Sequence, residues 1–123
     1  MSDTNQDFDL SFLYEIADGS NEFIVDSIDM FLQQTPELIR IIGEAIAAGE
    51  WVTAGGAAHK LKPNLGFFGM LDCQATIQDV ELLCKAGGHE PDQINSKFNE
   101  VKGIVSNNLI TLAKIKTEKE ALL

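Results

Sequence analysis

The segment Ala54 to Gly69 reads AGGAAHKLKPNLGFFG, and at its centre stands His59, the residue best suited to chemistry near neutral pH. Wound as a helix at about 100° per residue, the segment gathers Ala54, Ala58, Leu61, Leu65 and Phe68 into one core-facing stripe. His59 then points about 140° away from the centre of that stripe, toward solvent. On its side lie Gly55 and Gly56, four and three residues earlier, Lys62 three residues later, and Gly66 seven later. A glycine inside a helix costs roughly 1 kcal/mol relative to alanine. Three of them around one histidine suggest a surface that something else approaches closely.

An imidazole in water titrates near about 6.5, so at pH 7 it is largely neutral and nucleophilic. It can attack the phosphorus of an aspartyl phosphate on a partner, and the N–P bond formed is labile enough to hand the group on to a second aspartate. Lys62 would stabilise charge on the phosphoryl group in transit. Gly55, Gly56, Pro63, Gly66 and Phe67 are the candidates for contact with the partner. No P-loop or other nucleotide-binding pattern is present, which points to a phosphocarrier rather than an ATP-dependent kinase in its own right. No metal site is expected, because the other histidine, His89, falls in a loop and a metal needs three or four converging ligands. The bland alternative for His59 is an ordinary surface histidine, and the surrounding glycines and lysine weigh against it. For Phe67 the alternative is helix-end packing beside Phe68.

The elements that must position this segment are helical throughout. Residues 9–17 suggest a short first helix, stopped at Gly19. Ile24, Ile28, Phe31 and Leu32 recur at helical spacing from about Asn21 to Gln34. Thr35-Pro36-Glu37 reads as a fresh start, with a capping threonine, a proline at the first helical position and an acid at the positive helix end. A stripe of Leu38, Ile41, Ile42, Ala45 and Ile46 follows and ends near Gly49. Helices are then expected from Trp51 to about Phe68, from Met70 to about Lys85 with Leu71, Ile77, Val80 and Leu83-Cys84 as its apolar residues, and from about Asp92 onward, with a loop at Gly87–Pro91. Short loops and one apolar face per helix imply an all-α fold, an up-and-down antiparallel four-helix bundle with one or two additional N-terminal helices. One domain covers residues 1–123, with a flexible tail over 1–7 and the core bundle at about 36–118.

Composition narrows the partners. The formal net charge is −10, from 9 Lys and Arg against 19 Asp and Glu, so phosphate backbones and anionic lipid are repelled. Nucleic-acid binding and membrane insertion are not expected, and no apolar run approaches the roughly 20 residues of a membrane span. Cys73 and Cys84 lie about 16 Å apart along one helix, too far for a disulfide. Both read as small core residues of a cytoplasmic protein.

The run Ala58-His59-Lys60-Leu61-Lys62, followed by Gly66 and Gly69, resembles the histidine-containing phosphotransfer (HPt) domain. The pattern of that family is a histidine, a lysine three residues on, a small residue after it, and a glycine ten residues after the histidine. The resemblance implies that His59 is the phosphoacceptor, that Lys62 neutralises phosphate charge, and that Gly69 makes the tight turn into the next helix. It implies response-regulator receiver domains or a hybrid sensor kinase as partners in a two-component phosphorelay. The chain would act as a monomer with no cofactor of its own, the Mg²⁺ residing on the receiver. Pro63 departs from the pattern by replacing the usual small residue. Without an N–H it cannot donate to the His59 carbonyl, and a bend is expected there. The alternative function is a non-catalytic helical adaptor that binds receiver or kinase domains through the same face. A dimeric kinase phosphoacceptor domain ranks behind both, since no ATP-binding sequence accompanies the bundle.

Overall fold

The computed structural model describes residues 8–123; the expected tail at 1–7 lies outside the described residues. Five helices follow one another: α1 (Ser11–Ala17), α2 (Asn21–Ala48), α3 (Trp51–Phe67), α4 (Leu71–Lys85) and α5 (Pro91–Glu120). No strand occurs among the described residues. Each long helix packs against its two neighbours in a ring, α2 on α3, α3 on α4, α4 on α5, and α5 back on α2, while α1 leans on α2. The pairings run antiparallel: Asp29 meets Lys116 and Gly43 meets Phe98 across α2 and α5. This is the expected up-and-down four-helix bundle, with one additional N-terminal helix. No helix among the described residues is long and apolar enough to cross a membrane.

Burial of one stripe per helix holds the bundle. Ile28 and Ile42 of α2, Leu61 and Leu65 of α3, Ile77 and Val80 of α4, and Ile94, Val101 and Val105 of α5 are all excluded from water. Each such side chain contributes roughly 1.5–3 kcal/mol relative to an exposed one. The α3 stripe expected from the sequence is buried in full, from Ala54 to Phe68. Phe68 closes the lower end by stacking obliquely on Phe31, with ring centroids 4.5 Å apart.

Two helices were expected where α2 runs unbroken. Its cap is Ser20, whose hydroxyl accepts from Phe23 N at 3.1 Å, and Pro36 sits inside it. Proline removes one intrahelical hydrogen bond. Apolar side chains buried on both sides of it, Ile28 and Phe31 before and Ile39 and Ile42 after, hold the helix through that loss. Thr35 is fully buried rather than exposed at a helix start. The bundle therefore begins at Asn21, ahead of the boundary near residue 36 that the capping signal suggested. In α3 the helix likewise continues through Pro63, whose ring is exposed. Leu71, expected in the core, is 64% exposed, and Met70 is buried in its place.

Gly69 fixes how α3 passes into α4. Its φ is +71°, a left-handed conformation that glycine adopts without strain. Gly69 N donates to Gly66 O at 3.0 Å and Met70 N to Leu65 O at 2.9 Å, closing the last carbonyls of α3. The chain leading into α1 crosses directly above, with Asp9 N donating to Phe68 O at 3.2 Å. A Cβ on Gly69 would fall inside the Asp9 backbone.

Candidate functional site

Helix α3 presents His59 outward at the middle of the α3–α4 face. The ring is 63% exposed, as the helical phase requires. Directly across on α4 is Glu81, whose side chain is only 4% exposed. It occupies a position in the buried stripe Ile77, Val80, Glu81, Cys84, where a charge is tolerated only with full pairing. Glu81 Oε2 lies 2.8 Å from His59 Nδ1. Lys62 Nζ donates to Glu81 Oε1 at 2.9 Å, and Lys85 Nζ donates to Oε2 at 2.6 Å.

These donors hold the Glu81 carboxyl at about 2, against 4.5 for a free one. Lys85 contributes most, Lys62 and His59 add to it, and burial works in the opposite direction. An ionised carboxylate can only accept. In the neutral ring, the proton therefore resides on Nδ1, and Nε2 carries the free lone pair toward solvent. The arrangement is a nucleophilic nitrogen facing out, with a carboxylate behind the ring to take up positive charge that develops on it. Lys62 and Lys85 stand beside it within a chain of net charge −10.

The pairing has a consequence for stability. Glu81 titrates lower in the folded chain than the 4.5 of the unfolded one, so its contribution is complete above about 4.5 and is lost as pH falls toward about 2. In urea titrations the midpoint of the native chain is expected to drop across that window. The drop should be shallower in Glu81→Gln, which has no carboxyl to protonate there; equal slopes would show that other carboxylates carry the acid limb.

The glycines fall into different roles. Gly56 is open, with nothing within 4 Å of where a Cβ would stand. Gly55, expected on the partner-facing side, is buried in the α3–α4 seam, where a Cβ would meet Cys84 Cβ at 3.3 Å and Lys85 Cγ at 3.5 Å. Gly66 is covered by the Gln74 carboxamide, which a Cβ would strike; Gln74 Nε2 donates to Lys62 O at 3.2 Å. At these two positions the missing side chains make room for α4 itself rather than for an incoming protein. Pro63 is exposed one turn beyond His59.

Phe67 is half-buried and meets Phe12 of α1 edge-on, with ring centroids 5.4 Å apart. Beside it a hollow of about 300 Å³ opens between α2 and α3, lined by Phe23, Ser27, Met30, Gln34, Asn64 and the two phenylalanines Phe67 and Phe68, with Phe31 at its floor. Phe12 of α1 and Phe23 and Met30 of α2 are 50%, 38% and 57% exposed, so apolar side chains gather around Phe67 at the C-terminal end of α3. Among the described residues no group of three His, Cys, Asp or Glu converges to hold a metal ion.

Glu81 is the residue that sequence reasoning missed. The signal was there: a carboxylate in an apolar stripe at i, i+3, i+4 and i+7, with a lysine four residues on. A family model described as Hpt domain matches residues 26–109, which spans all of α3 and α4 and most of α2. No curated protein and no solved structure gives a significant match.

Proposed function

The chain belongs to the Hpt domain family, and on that premise we propose that it carries a phosphoryl group on His59 Nε2 between receiver domains of a two-component phosphorelay. The single observation behind this reading is the exposed ring whose Nδ1 is backed by buried, ionised Glu81. In the forward step the Nε2 lone pair attacks the phosphorus of a receiver's aspartyl phosphate. The N–P bond forms as the P–O bond to the aspartate breaks, and the aspartate leaves as a carboxylate. The ring, now bearing both Nδ1–H and the phosphoryl group, gains positive charge that Glu81 offsets. Lys62, one turn on, supplies a cation near the phosphoryl oxygens. A second receiver's aspartate reverses the sequence. The receivers bring the Mg²⁺, and this chain supplies the nucleophile and its orientation.

The patch formed by Phe12, Phe23, Met30 and Phe67, with Gly56 and Pro63 flanking the histidine, is the surface we assign to receiver docking. Neighbouring exposed apolar side chains rimmed by polar residues are the kind of surface that marks an interaction site. We place the protein in the cytoplasm as a monomeric carrier, where Cys73 and Cys84 sit in the core. A helical adaptor without transfer would use the same patch.

Transfer of radiolabel separates the two. Incubated with a phosphorylated receiver, the chain is expected to take up label that is lost in acid and kept in base, the signature of a phosphoramidate. Receiver binding without label, or label that survives acid, would leave only the adaptor.

A further inference from the structure

Glu81 Oε2 accepts from two sides, and the second donor is not explained by phosphoryl transfer as described. Lys85 Nζ reaches it at 2.6 Å while His59 Nδ1 lies at 2.8 Å from the same atom. Lys85 is four residues after Glu81 on α4, and its stem runs over the bare backbone of Gly55, with Cγ 3.5 Å from where a Cβ would be. A side chain at position 55 would contest that path. The sequence thus leaves a glycine in α3 where α4 needs room to lay a lysine across to the carboxylate beneath the histidine.

A surface ion pair at i, i+4 spacing is ordinarily worth little. Here the acid is buried, so the pair is not a surface one. A carboxylate held at one oxygen can swing about its last torsion. Lys62 holds Oε1 from α3, and Lys85 holds Oε2 from α4. With both ends pinned, the plane of the carboxylate is set before the ring docks on it. With Lys85 gone, Oε2 is held only by the imidazole N–H it is meant to orient. Among the described residues the titratable and charged groups on this carboxylate are His59 and Lys62 from α3 and Lys85 from α4; neither α2 nor α5 adds another.

Taking His59 as the phosphoacceptor, we propose that Lys85 is a positioning residue of the transfer site, fixing Glu81 so that the His59 ring keeps its proton on Nδ1 and its lone pair on Nε2. Lys85 does not touch the phosphoryl group in this role; it acts through Glu81. Its Nζ is aimed at the carboxylate, and its side chain is 56% exposed, so replacing it leaves the core intact.

The test uses the full chain with Lys85→Met and Lys85→Arg, read by ¹⁵N resonances of the histidine rings and by the kinetics of phosphoryl uptake. The chain holds two histidines, and His89→Gln assigns the signals. In alkaline buffer the Nδ1–H form is expected to dominate at His59 in the native chain. In Lys85→Met the ratio of Nδ1–H to Nε2–H should fall roughly twofold or more. The maximal uptake rate should fall roughly tenfold from lost orientation, with KM for the phosphorylated receiver unchanged. Lys85→Arg, which can still donate to Oε2, should restore both.

An unchanged ring spectrum with a slower rate would mean that Lys85 meets the phosphoryl group directly, and would overturn the positioning role. An unchanged spectrum and rate would reduce the lysine to a solvated pair and overturn it as well. If the native chain takes up no label at all, the phosphocarrier reading fails separately, while the ring spectrum still decides whether Lys85 orients His59.

Discussion

Label uptake is expected to fall below detection in His59→Gln while the fold and the urea midpoint stay within about 1 kcal/mol of the native chain. The imidazole is exposed at this face, and with Nδ1 turned to Glu81 its free lone pair is on Nε2. An amide nitrogen has its lone pair delocalised into the carbonyl and does not form a phosphoramidate under these conditions. Glutamine is the informative replacement because it separates chemistry from structure. Its NH₂ can still donate to Glu81, and Lys62 and Lys85 keep both carboxylate oxygens occupied, so no buried charge is left unpaired. A leucine would confound the two by removing one of three donors. Uptake of acid-labile label by the glutamine variant would place the phosphoryl group elsewhere, and His89 would then be the first position to examine.

The bundle was legible because its signals were redundant. The α3 stripe from Ala54 to Phe68 repeats at helical spacing, each position agrees with the next, and burial follows. Local signals that stand alone fared worse. Thr35-Pro36-Glu37 has the chemistry of a helix start, and the chain ignores it, because apolar residues before and after the proline face the same core. Tertiary burial on both sides outweighs one missing hydrogen bond. Leu71 shows the same limit at an end. One residue of phase decides whether Met70 or Leu71 enters the core, and the turn at Gly69 sets that phase, not the hydrophobicity of either.

The site divides along a similar line. Exposure of His59 follows from its phase on one helix, so it was readable. Glu81 lies 22 residues away in sequence, and its pairing with His59 exists only through the register of α3 against α4. The glycines were read as space for a partner because their Cβ positions face the histidine side. Their neighbours are supplied by α4: Lys85 and Cys84 over Gly55, and Gln74 over Gly66. Spacing within one helix reveals that room has been made, and only the adjacent helix reveals for whom. Of the three glycines, Gly56 alone stays open.

Gly69→Ala is expected to cost about 2–4 kcal/mol. Two causes add. The φ of +71° becomes strained with a Cβ, worth roughly 1 kcal/mol. The new atom also overlaps the Asp9 backbone, which is not a flexible side-chain end that can swing aside. To relieve the overlap the chain ahead of α1 must lift, breaking the bond from Asp9 N to Phe68 O and uncovering Phe8 and Leu10. Gly19→Ala is the matched control, since φ there is +86° and nothing lies within 4 Å. It carries the strain without the collision and should cost about 1 kcal/mol. Urea midpoints of the two variants isolate the collision as their difference. Equal losses would mean that the N-terminal segment is not held against the α3–α4 turn. The apolar patch would register the same event, because α1 brings Phe12 against Phe67. Receiver affinity should therefore weaken in Gly69→Ala and not in Gly19→Ala, at temperatures where both remain folded.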